Sequence, residues 1–178
     1  MPAYEETRTV VGQPWRLAAV LMSSCALFLV FLAVVSPAWV TASSRTKSQS
    51  IWEVCWTLEK CVNNLGTDWR VTIVILEFFA GLLCVVAITL AVLALCKVSS
   101  IRSFVPGICI LLAALLQLIA VIVYPVKFLE VPAHLGIDDG PVYYEFDWGY
   151  GVAFGAFFFM VAAGIMFLLK SYCTKRSY

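Results

Sequence analysis

Four long apolar runs, separated by polar segments, dominate the pattern of the chain. Each run can cross the hydrocarbon core of a bilayer, which is about 30 Å thick and needs about 20 helical residues. None of them shows the regular apolar and polar alternation of a membrane β-barrel strand. The pattern therefore predicts four transmembrane helices, over residues 17–36, 71–96, 104–124 and 149–169.

The polar segments fall on two sides of the membrane, because an even number of spans places both termini together. Seven Lys and Arg residues lie on the side of the termini, and five lie in the longer loops opposite. This bias predicts cytoplasmic termini. The chain then has a cytoplasmic N-terminal tail, a first extracellular loop, a cytoplasmic loop, a second extracellular loop and a cytoplasmic C-terminal tail, over residues 1–16, 37–70, 97–103, 125–148 and 170–178.

The first extracellular loop is the part of the chain richest in tryptophan and cysteine. Residues 50–56 alternate in the two-residue period of a strand. Cys55 and Cys61 are six residues apart with a turn between them. Directly opposed residues of a hairpin have Cα atoms about 4.5–5.5 Å apart, which suits a disulfide. In an oxidising compartment, the spacing predicts a Cys55–Cys61 bond.

The second extracellular loop carries another strand pattern, over residues 142–147. This strand either pairs with residues 126–131 or adds an edge to the sheet of the first loop. Pro125 is expected to end the third helix at Tyr124. The acidic residues of this loop do not have the spacing of a calcium-binding loop, so a solvated turn is expected and no metal site.

Polar and small residues within the apolar runs are the candidate intramembrane contacts. The second run is longer than a span requires, so Glu77 is expected near the headgroup boundary, reaching water or an indole N–H. A cation or proton site at Glu77 is the alternative. Gln117 is expected to bond to a neighbouring helix. Gly151-x-x-x-Gly155 has the spacing of a close-packing motif, but the motif is short and common by chance, so ordinary bundle packing is expected there.

The composition excludes several classes of function. The chain has 178 residues, of which 62% are hydrophobic and 13% charged, about half the charge of a soluble domain. Its net charge of +1 gives no reason to expect a nucleic-acid partner. His134, the single histidine, lies in a loop, and no catalytic triad or glycine-rich phosphate loop is recognisable. No enzyme activity, cofactor or metal is expected.

The remaining cysteines fall into two groups. Cys25, Cys84 and Cys109 lie within predicted helices and are expected to be buried small hydrophobic residues. Cys96 and Cys173 lie at the predicted cytoplasmic boundary beside basic residues, where S-palmitoylation is chemically feasible.

The four spans and the pattern Trp39…Trp52-x-x-Cys55…Cys61…Arg70 resemble the claudin / peripheral myelin protein / epithelial membrane protein superfamily. Three further segments are similar to the subfamily that includes transmembrane protein 47 and, more distantly, PERP; they cover residues 36–42, 124–128 and 145–151. The resemblance implies an all-α integral membrane protein, with a claudin-like bundle of four transmembrane helices and a small extracellular antiparallel β-sheet as its cap.

The subfamily is associated with cell–cell junctions. The resemblance thus implies a non-enzymatic tetraspan protein of the plasma membrane, concentrated at cell–cell junctions, that organises adherens-junction-associated adhesion and morphology. The implied partners are the lipid bilayer, cadherin–catenin type adhesion complexes and further copies of the chain in lateral association.

Two alternatives remain open. One is a claudin-like paracellular barrier or pore, in which acidic outer loops select cations. The other is an auxiliary subunit of a channel or receptor. Ser50-Ile51 stands where claudins have Gly-Leu, and the gap between Cys55 and Cys61 is shorter than in claudins. Both differences favour the junction role over the pore.

Overall fold

The computed structural model describes residues 14–42, 47–56, 60–63, 68–96, 104–130 and 144–175. Within these residues, four helices each contain a segment long and apolar enough to cross a membrane. The prediction of four transmembrane helices is confirmed. The helices are α1 (Pro14–Val35), α2 (Asp68–Leu95), α3 (Phe104–Glu130) and α4 (Trp148–Lys175).

The end of α3 differs from the prediction. The helix does not stop at Tyr124 but continues through Pro125 to Glu130. Proline has no N–H, so the carbonyl four residues earlier, that of Val121, loses its helical donor. The hydroxyl of Tyr150 on α4 donates to this carbonyl at 3.2 Å. A neighbouring helix thus replaces the missing bond, as it commonly does for prolines within membrane helices.

The helices pack in a closed ring, in which α1 and α3 each contact both α2 and α4. Buried residues recur at alternating steps of three and four, a heptad spacing typical of left-handed helix packing. Most of them are small, so the backbones approach closely. On α1 they are Ala19, Ser23, Ala26, Val30 and Ala33, and on α4 they are Ala153, Ala156, Met160, Ala163 and Phe167.

Large apolar side chains point away from the bundle instead. Phe28, Phe31, Phe78 and Phe158 are each more than half exposed. Lipid tails are as apolar as the bundle interior, so this exposure has no penalty in a bilayer. Side-chain size, rather than polarity, therefore distinguishes the inward face of each helix from the outward face.

The Gly151-x-x-x-Gly155 segment does not form a close helix contact, in agreement with ordinary bundle packing. A Cβ atom added to Gly151 would meet nothing within 4 Å, and one added to Gly155 would only reach ordinary van der Waals distance. The close approach of α3 and α4 occurs further along, where a Cβ atom on Gly164 would lie 2.5 Å from Leu111 Cδ2. Glycine is required there because the two helices nearly touch.

A five-stranded antiparallel sheet lies where α1 ends and α2 begins, which we call the sheet end of the bundle. Its strand order is β4-β3-β2-β1-β5. The first four strands lie between α1 and α2, and β5, which precedes α4, pairs with β1. The second-loop strand therefore adds an edge to the first-loop sheet. The strands are β1 (Val40–Ala42), β2 (Lys47–Gln49), β3 (Glu53–Trp56), β4 (Lys60–Asn63) and β5 (Tyr144–Phe146).

Candidate functional site: the sheet and its attachment to the helix ends

The hairpin of β3 and β4 carries the predicted disulfide. Cys55 and Cys61 are direct partners in the register of the two strands. Their Cα atoms are 4.0 Å apart and their sulfur atoms are bonded to each other, so the prediction is confirmed. The exposed Glu53 lies beside them, but bonded sulfurs have no thiolate to offer a metal ion. The bridge is therefore a structural clamp at one edge of the sheet.

Two tryptophans of the first loop cap the last turn of α1. The final four carbonyls of a helix lack partners within it. The indole N–H of Trp39 donates to the carbonyl of Ala33 at 2.8 Å. The indole N–H of Trp52 donates to the carbonyl of Val34 at 2.6 Å. The two signature tryptophans thus satisfy a helix end that would otherwise present bare carbonyls to the membrane interface.

Five aromatic rings meet at the junction of sheet and bundle, and we call this cluster the aromatic junction. Tyr124 lies at its centre, with ring centroids at 4.8 Å from Trp39, 5.9 Å from Trp69, 6.1 Å from Phe128 and 6.3 Å from Tyr150. Tyr124 is only 1% exposed and Trp39 is fully buried. Each such pair contributes about 0.5–1.5 kcal/mol beyond the area it buries. The junction therefore ties α2, α3 and α4 to the loop that follows α1.

Hydrogen bonds around Asp147 join β5 and α4 to the start of the sheet. The backbone N–H of Asp147 donates to the Trp39 carbonyl at 2.9 Å. Its carboxylate accepts from the Thr41 hydroxyl at 2.9 Å. Two residues later, the N–H of Gly149 donates to the Ala38 carbonyl at 3.1 Å. These bonds fix the first turn of α4 against the segment that links α1 to β1.

Gly149 lies at the tightest point of this attachment. A Cβ atom on Gly149 would clash with the Ser36 hydroxyl and would lie 2.6 Å from the carbonyl oxygen of Ala38. Both of these atoms belong to a short segment that is itself held by hydrogen bonds. Only glycine lets the two chain segments approach this closely.

The residues that differ from the claudin pattern shape the β2–β3 turn. The hydroxyl of Ser50 accepts from the backbone N–H groups of Trp52 at 3.1 Å and Glu53 at 2.9 Å. Ile51 at the tip of the turn is only 1% exposed and packs in the same apolar cluster as Trp39. Ser50-Ile51 therefore holds a tight turn and inserts an apolar side chain into the core.

Arg70, the last residue of the signature, is buried in the first turn of α2 with 5% of its surface exposed. Its guanidinium carbon lies 5.0 Å from the centre of the Trp69 ring, a cation–π distance. Among the described residues, Nε and Nη1 of Arg70 and the hydroxyl of Tyr124 have no hydrogen-bond acceptor. Within the described part of the chain, the cation–π contact with the Trp69 ring stabilises this buried charge.

Glu77 lies inside the bundle rather than on its surface. It is fully buried, and its Oε1 atom accepts a hydrogen bond from Nε2 of Gln117 at 2.9 Å. The same nitrogen donates to the Ala153 carbonyl at 3.2 Å. The expected role of Gln117 between helices is confirmed, whereas the expected contact of Glu77 with water or an indole is wrong. Gln117 draws the carboxylate inward.

The cysteines in the helices divide differently from the prediction. Cys84 is buried and Cys109 is partly buried, but Cys25 is exposed on the outer face of α1. The prediction of burial is therefore wrong for Cys25. Cys96 is exposed just beyond the end of α2, and its palmitoylation remains a prediction. The side chain of Cys173, the other candidate, lies outside the described residues.

The structure brings the predicted signature residues together at the sheet end. Trp39, Trp52 and Arg70 all lie where the strands join the helices. Sequence reasoning missed Tyr124 and Tyr150, which complete the aromatic junction. Both tyrosines lie in segments that resemble the subfamily, but the Tyr-Pro pair at residue 124 predicts a helix stop rather than a contact. A proline inside a helix leaves the carbonyl four residues earlier without its backbone donor. Such a proline therefore indicates a polar donor group on a neighbouring helix.

Comparison with known proteins agrees with this architecture. The model of the PMP-22/EMP/MP20/Claudin family matches residues 15–167, which is most of the chain. The chain is also similar to a zebrafish (Danio rerio) protein named p53 apoptosis effector related to PMP-22. The two are 28% identical over 162 residues, which cover 86% of this chain and 81% of the relative. The chain is therefore a multi-pass membrane protein that belongs to the PMP-22/EMP/MP20/Claudin family.

Proposed function

We propose that this protein is a non-enzymatic tetraspan protein of the plasma membrane that organises cell–cell junctions, with a role in adherens-junction-associated adhesion and cell morphology. One observation carries the proposal, which is that the sheet is fixed rigidly to the bundle. The aromatic junction, the two indole caps and the bonds of Asp147 hold the strands on the helix ends. Such a rigid attachment suits a surface that must present side chains to a partner.

The exposed side chains of the sheet support a role in contact. Glu53 on β3 and Glu145 and Phe146 on β5 are exposed, as is Trp148 at the start of α4. They combine carboxylates with aromatic rings, and aromatic residues are enriched at protein–protein interfaces. The bias of basic residues predicts that this end of the bundle is extracellular, facing the neighbouring cell.

Lateral association in the same membrane is the second part of the proposal. The outward faces of the helices carry large apolar side chains, such as Phe78 and Phe158, that contact lipid or further copies of the chain. We expect recruitment of cadherin–catenin type adhesion complexes at the borders where copies collect. The partners are thus the bilayer, other copies of the chain and adhesion proteins.

Imaging in a mosaic epithelial layer tests this proposal. Tagged full-length protein is expected to concentrate at borders between expressing cells, together with cadherin. An even distribution over the cell surface would contradict the proposal. An epitope inserted between β1 and β2 tests the orientation, because it should be reached by antibody on intact cells. Access only after permeabilisation would reverse the topology and exclude an adhesive sheet.

A paracellular barrier or pore is the first alternative, favoured by the exposed carboxylates of Glu53 and Glu145. Expression in a resistive epithelial layer separates it from the junction role. The junction role leaves ion selectivity unchanged, whereas a cation pore would lose selectivity in a Glu53→Gln/Glu145→Gln variant. Co-purification of a stoichiometric channel or receptor would instead favour an auxiliary subunit.

A role in apoptosis is the second alternative, favoured by the name of the zebrafish relative. The name describes an effector of apoptosis, and the identity covers most of both chains. Induced expression with a caspase readout tests it in isolated cells, where no junctions can form. Cell death under those conditions would favour an apoptotic role, because a purely junctional protein should be inert there.

A further inference from the structure

A buried polar site lies inside the bundle at the level of Glu77, and the signature does not include it. Three helices contribute to it, with Glu77 from α2, Gln117 from α3 and the Ala153 carbonyl from α4. Glu77 and Gln117 are both fully buried. A carboxyl group in such a place needs either a partner of opposite charge or a proton.

The hydrogen-bond inventory of the site is incomplete in a specific way. A glutamine amide has two donor hydrogens, and Gln117 directs them to Oε1 of Glu77 and to the Ala153 carbonyl. A carbonyl can only accept, so the nitrogen of Gln117 must be the atom that faces Ala153. Two acceptors then remain without a donor among the described residues, Oε2 of Glu77 and Oε1 of Gln117. These two acceptors therefore lack a donor hydrogen.

Among the described residues, no basic side chain lies beside Glu77 to neutralise an ionised carboxylate. Residues 17–36, 71–96, 104–124 and 149–169 contain no charged residue except Glu77 itself. The nearest basic residue on the same helix face is Arg70, seven residues earlier and about 10 Å away along the axis. Cys84 on α2 and Tyr124 on α3 are the titratable groups one heptad from Glu77 and Gln117, and both are ordinarily neutral.

A metal ion, a water molecule or a proton could satisfy the two acceptors, and the proton fits best. A calcium ion takes six to eight oxygen ligands, and the carboxylate, amide and carbonyl oxygens described at this site do not reach that number. A bridging water would donate to both acceptors but leave a net negative charge inside the membrane, which is strongly unfavourable. A single proton removes the charge and supplies the missing donor.

We propose that Glu77 is a proton-binding site and carries a proton in the folded protein. The proton on Oε2 donates to Oε1 of Gln117, while Nε2 of Gln117 donates back to Oε1 of Glu77. The proton is taken from water as the helices assemble. The resulting neutral acid–amide pair joins α2 to α3 at one level, and the Ala153 carbonyl adds α4. The pair helps to fix the register of three helices that otherwise pack mainly through apolar side chains.

Infrared spectroscopy of the full-length protein in lipid bilayers tests the protonation directly. At neutral pH the wild type is expected to show a C=O stretch of a protonated carboxylic acid, and Glu77→Gln is expected to remove it. Glu53→Gln, at an exposed position of the sheet, is the matched control and should remove carboxylate intensity only. A wild-type spectrum without the acid band would overturn the proposal. So would an acid band that disappears when sodium is added, because a metal ion would then occupy the site.

Stability measurements form the second arm. Glu77→Gln keeps one donor and one acceptor, so the variant is expected to unfold at nearly the wild-type temperature. Glu77→Met has a similar length but leaves Oε1 and one amide hydrogen of Gln117 without a partner, so its unfolding temperature should fall. The double variant Glu77→Met/Gln117→Met should recover most of that loss. Equal losses in Glu77→Gln and Glu77→Met would show that the folded protein needs an ionised carboxylate, and would overturn the proposal.

Discussion

The hydroxyl of Tyr150 is predicted to stabilise the bundle only because α3 contains a proline. It donates to the carbonyl of Val121, which has no helical donor because residue 125 is proline. Tyr150→Phe removes this donor and keeps the aromatic ring, so the contacts of the ring with Tyr124 and Trp39 remain. The substitution therefore isolates one hydrogen bond at the junction.

The size of the effect follows from the unpaired carbonyl. Leaving a buried acceptor without a donor costs about 1–3 kcal/mol. Hydrogen bonds between helices in membranes average about 0.6 kcal/mol and reach about 1.7 kcal/mol. We expect Tyr150→Phe to lower the free energy of unfolding by about 1–2 kcal/mol, roughly a 5- to 30-fold change in the folding equilibrium.

The decisive comparison uses Pro125→Ala as a second background. Alanine restores the backbone N–H, which then donates to the Val121 carbonyl within the helix. In that background Tyr150→Phe should cost almost nothing, because the carbonyl no longer needs the hydroxyl. A double-mutant cycle over the two positions should then give a coupling energy of about 1–2 kcal/mol.

Equilibrium unfolding of the purified full-length chain in mixed micelles, followed by tryptophan fluorescence and circular dichroism, provides the measurement. Tyr124→Phe is the control, because the Tyr124 hydroxyl is buried and has no partner among the described residues. Its removal should not lower the free energy of unfolding. The reasoning is refuted if Tyr150→Phe costs the same with proline or alanine at position 125. It is also refuted if the two tyrosine variants lose equal stability.

The remaining predictions concern the attachment of the sheet. Gly149→Ala should destabilise the protein strongly, because the added Cβ clashes with the segment that links α1 to β1. Gly151→Ala has free space around it and should unfold like the wild type. Equal behaviour of the two variants would contradict the attachment. Trp52→Phe should lose about 1 kcal/mol in the same unfolding assay, by uncapping one carbonyl of α1, and no loss would argue against the cap. Reduction of the Cys55–Cys61 bond should lower the free energy of unfolding by about 2 kcal/mol, the lower end of the usual range, because the closed ring is small. Mass mapping without reductant should find both cysteines joined.

Much of the architecture could be predicted from the sequence because its signals are local. The four spans follow from the length and apolar character of the runs. The disulfide follows from the spacing of Cys55 and Cys61 across a short turn, since hairpin register is set within a few residues. The family pattern located the sheet end, although it did not reveal what Trp39 or Arg70 contacts.

The parts that could not be predicted depend on contacts between distant segments. The position of Pro125 inside α3 depends on Tyr150, which lies 25 residues away along the chain. The burial of Glu77 depends on Gln117, 40 residues away. The inward faces of the helices could not be predicted either. Lipid and core are equally apolar, so the polarity pattern of a helix does not distinguish its inward face from its outward face. The heptad of small residues on α1 carried that information instead.

The contacts of the signature residues indicate a structural role for them. The indole N–H groups of Trp39 and Trp52 donate to carbonyls at the end of α1, and Trp39 is fully buried. Arg70 is buried against a neighbouring ring. Trp39 and Arg70 are buried, so their substitution should change how much folded protein reaches the membrane. For the proposed adhesive role, we expect specificity to come from exposed strand residues such as Glu145.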